Sequence, residues 1–318
     1  MYGSLRNIRL FRILVFIVNT YLLSPLSCLF NQNEKLPDER KPVFIIGAPR
    51  CGSTLLTQIL MKAFDFGGFT NYHCLFFGAP ELADYLFQPF SKKAEFDYES
   101  EYGSTNKKYS PSECGDFWYR FFRRKSPYVT RKDVNSTRMQ CLRNTICKLT
   151  RVQKKTLLLK NLYTTLRLGP ITEHIPEALF IVVKRNILDN AHSILEARMQ
   201  NMGSYHHWWS VPSQRIDELI NLPPEEQVVE QINDIYALID KHICEENINS
   251  DRILILQYEE ICDDVHGTLE KVESFLKKHD VDIKRNLDVP EKFERKTKVN
   301  IDRELYTRLV KYISNSRQ

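Results

Sequence analysis

The chain has 318 residues, 42% of them hydrophobic and 27% charged, which is enough apolar material for one or two globular domains. Its formal net charge of +5 is a modest excess that suits a phosphorylated ligand if it is focused in one cleft. No long Lys/Arg block is interleaved with aromatics, so nucleic acid is not an expected partner.

The first element is the stretch from Ile13 to Phe30, uncharged and mostly apolar. Arg6, Arg9 and Arg12 precede it; Asn31, Glu34, Lys35 and a Pro37-to-Pro42 segment come after it. Such a run just reaches across a bilayer as a helix. The basic flank would keep the N-terminal side cytoplasmic and carry the rest across the membrane. The leading expectation is a single-pass signal anchor with the remainder in a Golgi-like lumen. A cleaved signal peptide, which fits the basic start and apolar run although Ser24 to Cys28 makes a poor cleavage region, and an interfacial helix, which fits because Asn19, Thr20 and Pro25 interrupt the run, are the alternatives. A buried core helix fits least, since a charged linker separates this stretch from the core-forming remainder of the chain.

Val43 to Ile46, ending in Gly47, reads as a buried parallel strand, and Thr54 to Phe64 as the helix after it. Glu81 to Phe87 is helical in pattern, and Glu95 to Thr130 is polar, aromatic and turn-rich. Further strands are expected over Lys155 to Leu159, Ala178 to Lys184 and Ile253 to Gln257. Helical patterns cover Thr165 to His174, Ile187 to Met199, Pro224 to Glu245 and Val265 to Lys278. This alternation predicts an α/β fold, a central parallel sheet flanked by helices.

The eight cysteines form no CxxC pair, so a zinc site is not expected. Cys28 lies in the apolar stretch and Cys51 in the glycine loop, leaving six to pair in an oxidising lumen or stay reduced; spacing does not decide. Asn135-Ser136-Thr137 is an N-glycosylation sequon, as a lumenal glycoprotein would carry.

"GAPRCGST", Gly47 to Thr54, joins the first strand to its helix. Backbone N–H groups and a helix N-terminus then converge on one point, which is anion-binding geometry. A nucleotide-triphosphatase loop reads G-x-x-x-x-G-K-[ST]; here Ser53 replaces the lysine, Arg50 is the available cation and Thr54 keeps the hydroxyl. No acidic strand end offers Mg²⁺ a seat. A second junction, "LFIVVKRNILDNAHSILEAR", sets Arg185 at a strand end and Ser193 two turns into a helix, where a guanidinium and a hydroxyl can grip one phosphate.

These two junctions resemble those of sulfotransferases that use 3′-phosphoadenosine 5′-phosphosulfate (PAPS). The first is close to the family's G-x-P-[RK]-[SC]-G-[ST]-[ST]-L. The second matches in Arg185 and Ser193 but has Ile187 where the family has proline. The likeness continues more weakly through "LLLKNLYTTLRLGP", "ILQYEEICDD" and "SEYGSTNKKYSPSECGDFWYRFF", about Val43 to Lys278 in all. It implies a P-loop-like fold, PAPS as donor co-substrate, no metal, and in-line sulfuryl transfer to a hydroxyl, with a carbohydrate favoured and a lipid as the other acceptor class. It assigns Arg50, Cys51, Gly52, Ser53 and Thr54 to the 5′-phosphosulfate, Arg185 and Ser193 to the 3′-phosphate, and Lys160 to charge near the transferring group. Residues 1–40 are then a membrane segment and linker, and 41–318 the catalytic domain. A P-loop kinase and a non-catalytic nucleotide-binding membrane protein are the competing readings.

An acceptor hydroxyl needs a base. His73 lies twenty-three residues beyond Arg50 and is the first candidate; Glu113 is the second, and His206 with His207 the third. Tyr258 and Glu259 read as core and surface, and Lys296 and Lys298 belong to a late basic loop, of the kind the resemblance would bring over the 3′-phosphate.

Overall fold

Val43–Gly47 (β1), Leu158–Lys160 (β2), Leu179–Lys184 (β3) and Ile253–Gln257 (β4) pair in parallel in the order β2-β1-β3-β4. The computed structural model describes residues 9–29, 35–87, 96–99, 103, 105, 107–124, 127–245, 248–286 and 288–316. The chain leaves β1 to one side to make β2, then crosses back to make β3 on the other. That reversal opens a crevice at the C-terminal ends of β1 and β3, where ligands bind in open α/β sheets. Gly47 stands opposite Val183 in the register, so the glycine loop and the Arg185 junction leave the sheet side by side.

The strands are short apolar runs because the sheet is covered on both faces. Phe44, Ile46, Phe180 and Val182 pack into one core; Val43, Ile45, Ile181 and Val183 pack into the other. The second core is closed by helices Ser53–Ala63 and Val265–Lys278, through Leu56, Ile59, Leu60, Leu269 and Val272. The first is closed by helices Ser136–Gln153, Ile187–Met202, Pro224–Glu245 and Arg303–Asn315.

β2 is shorter and later than the alternation predicts. Helix Ser136–Gln153 stops at Lys154, whose φ of 54° ends it in the left-handed region; Lys155 and Thr156 complete the turn and Leu157 makes an isolated bridge to Gly67 before β2 begins. That helix begins at the sequon: exposed Asn135 caps it by accepting from the Arg138 amide at 3.0 Å. Glu95 to Thr130 lies partly outside the described residues; its described part folds into loops and the short helix Gly115–Trp118.

The N-terminal stretch is helical as Arg9–Val18, a wider π-helical turn Asn19–Leu23, and Ser24–Leu29. Arg9–Cys28 is long and apolar enough to cross a membrane. The charged linker does not separate it from the rest of the chain. The Asn19 amide donates to the Leu75 carbonyl at 2.8 Å and accepts from the Gly78 amide at 2.7 Å. Ser27 hydrogen-bonds Glu81, and Cys28 forms a disulfide with Cys141. The apolar-stretch cysteine is thus the one that pairs; Cys51, Cys74, Cys114, Cys147, Cys244 and Cys262 are thiols.

Candidate functional site

The loop after β1 is built around backbone that ordinary side chains avoid. Arg50 has φ 64° and Gly52 φ 95°. A non-glycine residue held there costs about 1–3 kcal/mol, which the surroundings must offset. The offset comes from the second junction. Asn190 Nδ2 donates to the Pro49 carbonyl at 2.6 Å, Arg185 Nη1 donates to the Arg50 carbonyl at 2.9 Å, and Arg50 Nε donates to Ser193 Oγ at 3.1 Å. Gly52 precedes helix Ser53–Ala63 and provides no side-chain cap, so the first-turn N–H groups keep the positive end of the helix dipole for a ligand. A Cβ on Gly52 would sit 2.2 Å from the Tyr258 ring. Cys51 turns the other way: its side chain is fully buried among Val43, Ile45 and Leu56, and burial pushes its thiol pKa up.

Lys160, at the end of β2, reaches across to this loop. Its Nζ donates to Thr54 Oγ1 at 2.9 Å and also to the Glu113 carboxylate. Lys160 is almost wholly buried, whereas the Glu113 side chain keeps about a third of its surface open. The Glu113 carbonyl accepts from Trp118 Nε1 at 3.0 Å, which fixes the backbone behind the carboxylate.

Arg185 is clasped from three sides. Nη2 donates to the Lys296 carbonyl, the guanidinium lies 4.6 Å over the Tyr258 ring, and Nη1 holds Arg50. Its buried Nε has no hydrogen-bond partner among the described residues, an orphan donor that an anion would satisfy. The Tyr258 hydroxyl accepts from the Lys296 amide at 3.2 Å, and burial raises its pKa to about 12, so it stays a neutral phenol.

Arg50, Gly52, Ser53, Thr54, Lys160 and Arg185 line one cavity of about 1420 Å³. Glu113, Tyr258 and Lys296 line it too; Ser193 stands just behind, bonded to Arg50. His73 is not in that lining. It is buried, Nδ1 accepts from the Thr70 amide at 3.0 Å, and Nε2 donates to Asp84 at 3.0 Å. His206 and His207 are exposed and also outside the lining, which takes Trp209 from that loop. Trp208 instead stacks on the buried Arg198 at 4.8 Å. Tyr258, expected in the core, and Lys296, expected in a late basic loop, line the cavity through contacts that the sequence does not indicate. The signal for Tyr258 was its position directly after β4; nothing local marks Lys296, whose role lies in its backbone.

A parallel sheet with a phosphate-type loop at its switch point, no lysine in that loop and arginines from two strand ends defines the P-loop-like class of group-transfer folds. The chain matches the sulfotransferase family over residues 42–280 and belongs to it. Among solved structures, sulfotransferase STF1 from Mycobacterium tuberculosis H37Rv aligns with a TM-score of 0.50 at 15% identity, over 90% of this chain and 82% of that one. STF9 from Mycobacterium avium aligns at 0.49 and 14%, over 95% and 73%. A sulfotransferase from Alicyclobacillus acidocaldarius aligns at 0.43 and 16%, over 87% and 92%. The first of these supports the fold. No curated protein matches the sequence. The family and the fold make the chain a transferase of sulfuryl groups.

Proposed function

We propose that this protein transfers a sulfuryl group from PAPS to a hydroxyl acceptor, carbohydrate-bearing or lipid-borne, by in-line displacement. The observation that carries the reading is the hydrogen bond from Arg185 to the Arg50 carbonyl, which joins two anion-binding junctions at one cavity. One junction suits the 5′-phosphosulfate, through Arg50, the Cys51 and Gly52 backbone, Ser53 and Thr54. The other suits the 3′-phosphate, through Arg185 and Ser193. The unsatisfied Arg185 Nε and the uncapped helix turn support the fit. Residues 41–318 then make the catalytic domain and residues 1–40 the membrane-associated segment and linker.

In the reaction, the acceptor oxygen bonds to sulfur as the bond from sulfur to the 5′-phosphate oxygen breaks. The electron pair stays on that phosphate oxygen, and Arg50 and Lys160 stand where its charge develops. The acceptor proton passes to a carboxylate, and we assign Glu113. It lines the cavity and touches Lys160, which touches Thr54, so base, cation and loop are contiguous. His73, the first candidate from sequence, has both ring nitrogens engaged away from the cavity, which supports a structural role. The Cys28–Cys141 disulfide and the exposed sequon at Asn135 favour a lumenal or extracellular setting.

Calorimetric titration with adenosine 3′,5′-bisphosphate and ADP, without magnesium, tests the donor assignment. The bisphosphate binds at least tenfold tighter, one additional charge-assisted contact being worth about 1.5–3 kcal/mol. Equal affinities overturn it.

A further inference from the structure

The cavity that holds the donor groups does not end at Glu113. Its wall continues onto the N-terminal helix, through Arg9, Phe11, Arg12, Ile13, Val15 and Phe16. A volume of about 1420 Å³ exceeds the roughly 300–1,000 Å³ that small-molecule sites occupy, so room remains beside a nucleotide. On the helix side of that wall Phe11, Ile13, Val15 and Phe16 form an apolar strip. A sugar chain sliding along it would lose water without gaining hydrogen bonds, whereas a hydrocarbon chain would match it.

The helix is fastened to the domain along its length. Phe11, Val15, Asn19, Leu23 and Ser27 recur every four residues on its inner side, and the π turn Asn19–Leu23 corrects the drift that an α-helix would accumulate at that spacing. Gly78 lets the helix backbone approach: a Cβ there would lie 2.4 Å from the Asn19 carbonyl. Crossing a bilayer with these contacts intact would drag Leu75, Gly78 and Glu81 into hydrocarbon. The helix lies instead along the domain with its outer side bare. Leu10, Leu14, Ile17, Tyr21 and Leu22 are exposed on it. Leu82, Tyr85 and Leu86 are likewise exposed on the helix Pro80–Phe87, which Ser27 joins through Glu81. Arg9 and Arg12 stand at the start of the N-terminal helix, where anionic headgroups would meet them.

We infer that the N-terminal helix seats the enzyme on one leaflet of a membrane and forms the acceptor side of the cleft, so that the acceptor is the headgroup hydroxyl of a lipid drawn from that leaflet. This rests on the donor reading above and narrows its acceptor. The occupant of the bare face is a lipid surface because its exposed side chains are mainly aliphatic, recur on two helices that meet through Ser27 and Glu81, and are flanked by arginines. The tail would lie along Phe11, Val15 and Phe16 while the hydroxyl reaches Glu113 and Lys160.

The test uses the full chain, phosphatidylcholine vesicles containing phosphatidylserine, and the double substitution Leu14→Asp with Ile17→Asp, two exposed positions outside the cavity lining. The unaltered protein sediments with vesicles; the variant binds them about a hundredfold more weakly while its affinity for adenosine 3′,5′-bisphosphate is unchanged. With radiolabelled PAPS, hexadecyl glucoside and hexadecanol in those vesicles are sulfated at least about tenfold faster than methyl glucoside and ethanol in solution, and the variant loses that preference. A protein that binds the bisphosphate yet ignores vesicles, or sulfates no vesicle-borne hydroxyl, or prefers the soluble member of each pair, overturns the inference and leaves the donor reading standing. Failure to bind the bisphosphate is the separate signature of a wrong donor.

Discussion

Arg185 donates from Nη1 to the carbonyl oxygen of Arg50 at 2.9 Å, and Arg50 donates from Nε to Ser193, eight residues beyond Arg185, at 3.1 Å. The two motifs therefore brace each other. The strained turn at Arg50 is held by the residue proposed to read the 3′-phosphate, so the two proposed donor contacts belong to one hydrogen-bonded unit rather than to independent pockets.

Arg185→Ala removes the fork that braces Arg50 and is proposed to face the 3′-phosphate. Binding of adenosine 3′,5′-bisphosphate falls by about 30-fold to 100-fold, equivalent to about 2–3 kcal/mol for charge-assisted hydrogen bonds. ADP binding changes much less, so the discrimination between the two nucleotides collapses. Arg185→Lys recovers little, because a single ammonium cannot hold Arg50, Lys296 and a phosphate together. Calorimetric titration of both nucleotides without magnesium reads the ratio.

Arg50 carries opposite effects on stability and on rate. Its φ of 64° suits glycine better than arginine. Arg50→Gly relieves about 1–3 kcal/mol of backbone strain against the loss of one bond to Ser193 worth about 1 kcal/mol and the greater unfolded-chain entropy of glycine, so it is more stable by up to about 1 kcal/mol, visible as a raised thermal midpoint. The same change slows transfer about 10²-fold to 10³-fold, the usual loss when one charge-stabilising group leaves a transition state. A variant that lost stability and kept its rate would reverse both assignments.

Glu113 and His73 separate cleanly by what each substitution damages. Glu113→Gln keeps the shape and the contact to Lys160 but removes the proton acceptor, and kcat falls about 10²-fold to 10⁴-fold with bisphosphate affinity retained. His73→Gln disturbs a buried bridge between the Thr70 amide and Asp84, and costs about 1–3 kcal/mol of folding stability. Its kcat in the folded protein stays within about threefold. Urea unfolding midpoints and initial rates on both variants decide the matter.

The strands and the two strand–helix junctions were legible because their signals are local: an apolar run, a glycine, a cation at a set offset. Pro224–Glu245 and Val265–Lys278 have the bounds their periodicity gives. Helix Ser136–Gln153 was less visible because its inner face carries Asn144, Thr145 and Thr150; the two threonines turn their hydroxyls back onto the Cys141 and Ile146 carbonyls. The Cys28–Cys141 pair spans 113 residues, and no spacing rule reaches that far. Spacing from Arg50 favours His73 as the base, whereas the proposal of Glu113 rests on a contact between distant segments, its carboxylate meeting Lys160 at the end of β2. Lys296 contributes its carbonyl and amide to Arg185 and Tyr258, and backbone groups carry no residue-type signature.

Gly52 is where loop, helix and fourth strand meet, so Gly52→Ala is a sharp probe of the site's architecture. Alanine is strained at φ 95°, and its Cβ would lie 2.2 Å from the Tyr258 ring. The ring cannot simply swing aside, because its hydroxyl holds the Lys296 amide and its face supports Arg185. Overpacking and backbone strain together cost about 2–4 kcal/mol. Part of that appears as a lowered unfolding midpoint and part as weaker bisphosphate binding, since displacing Tyr258 loosens Arg185. Combining Gly52→Ala with Tyr258→Ala removes the steric conflict and leaves only the backbone strain. The double variant is then more stable than the sum of its single changes by about 1–2 kcal/mol, a coupling that a double-mutant cycle measures. Strict additivity would mean that Tyr258 does not press on the loop and that the cleft is organised some other way.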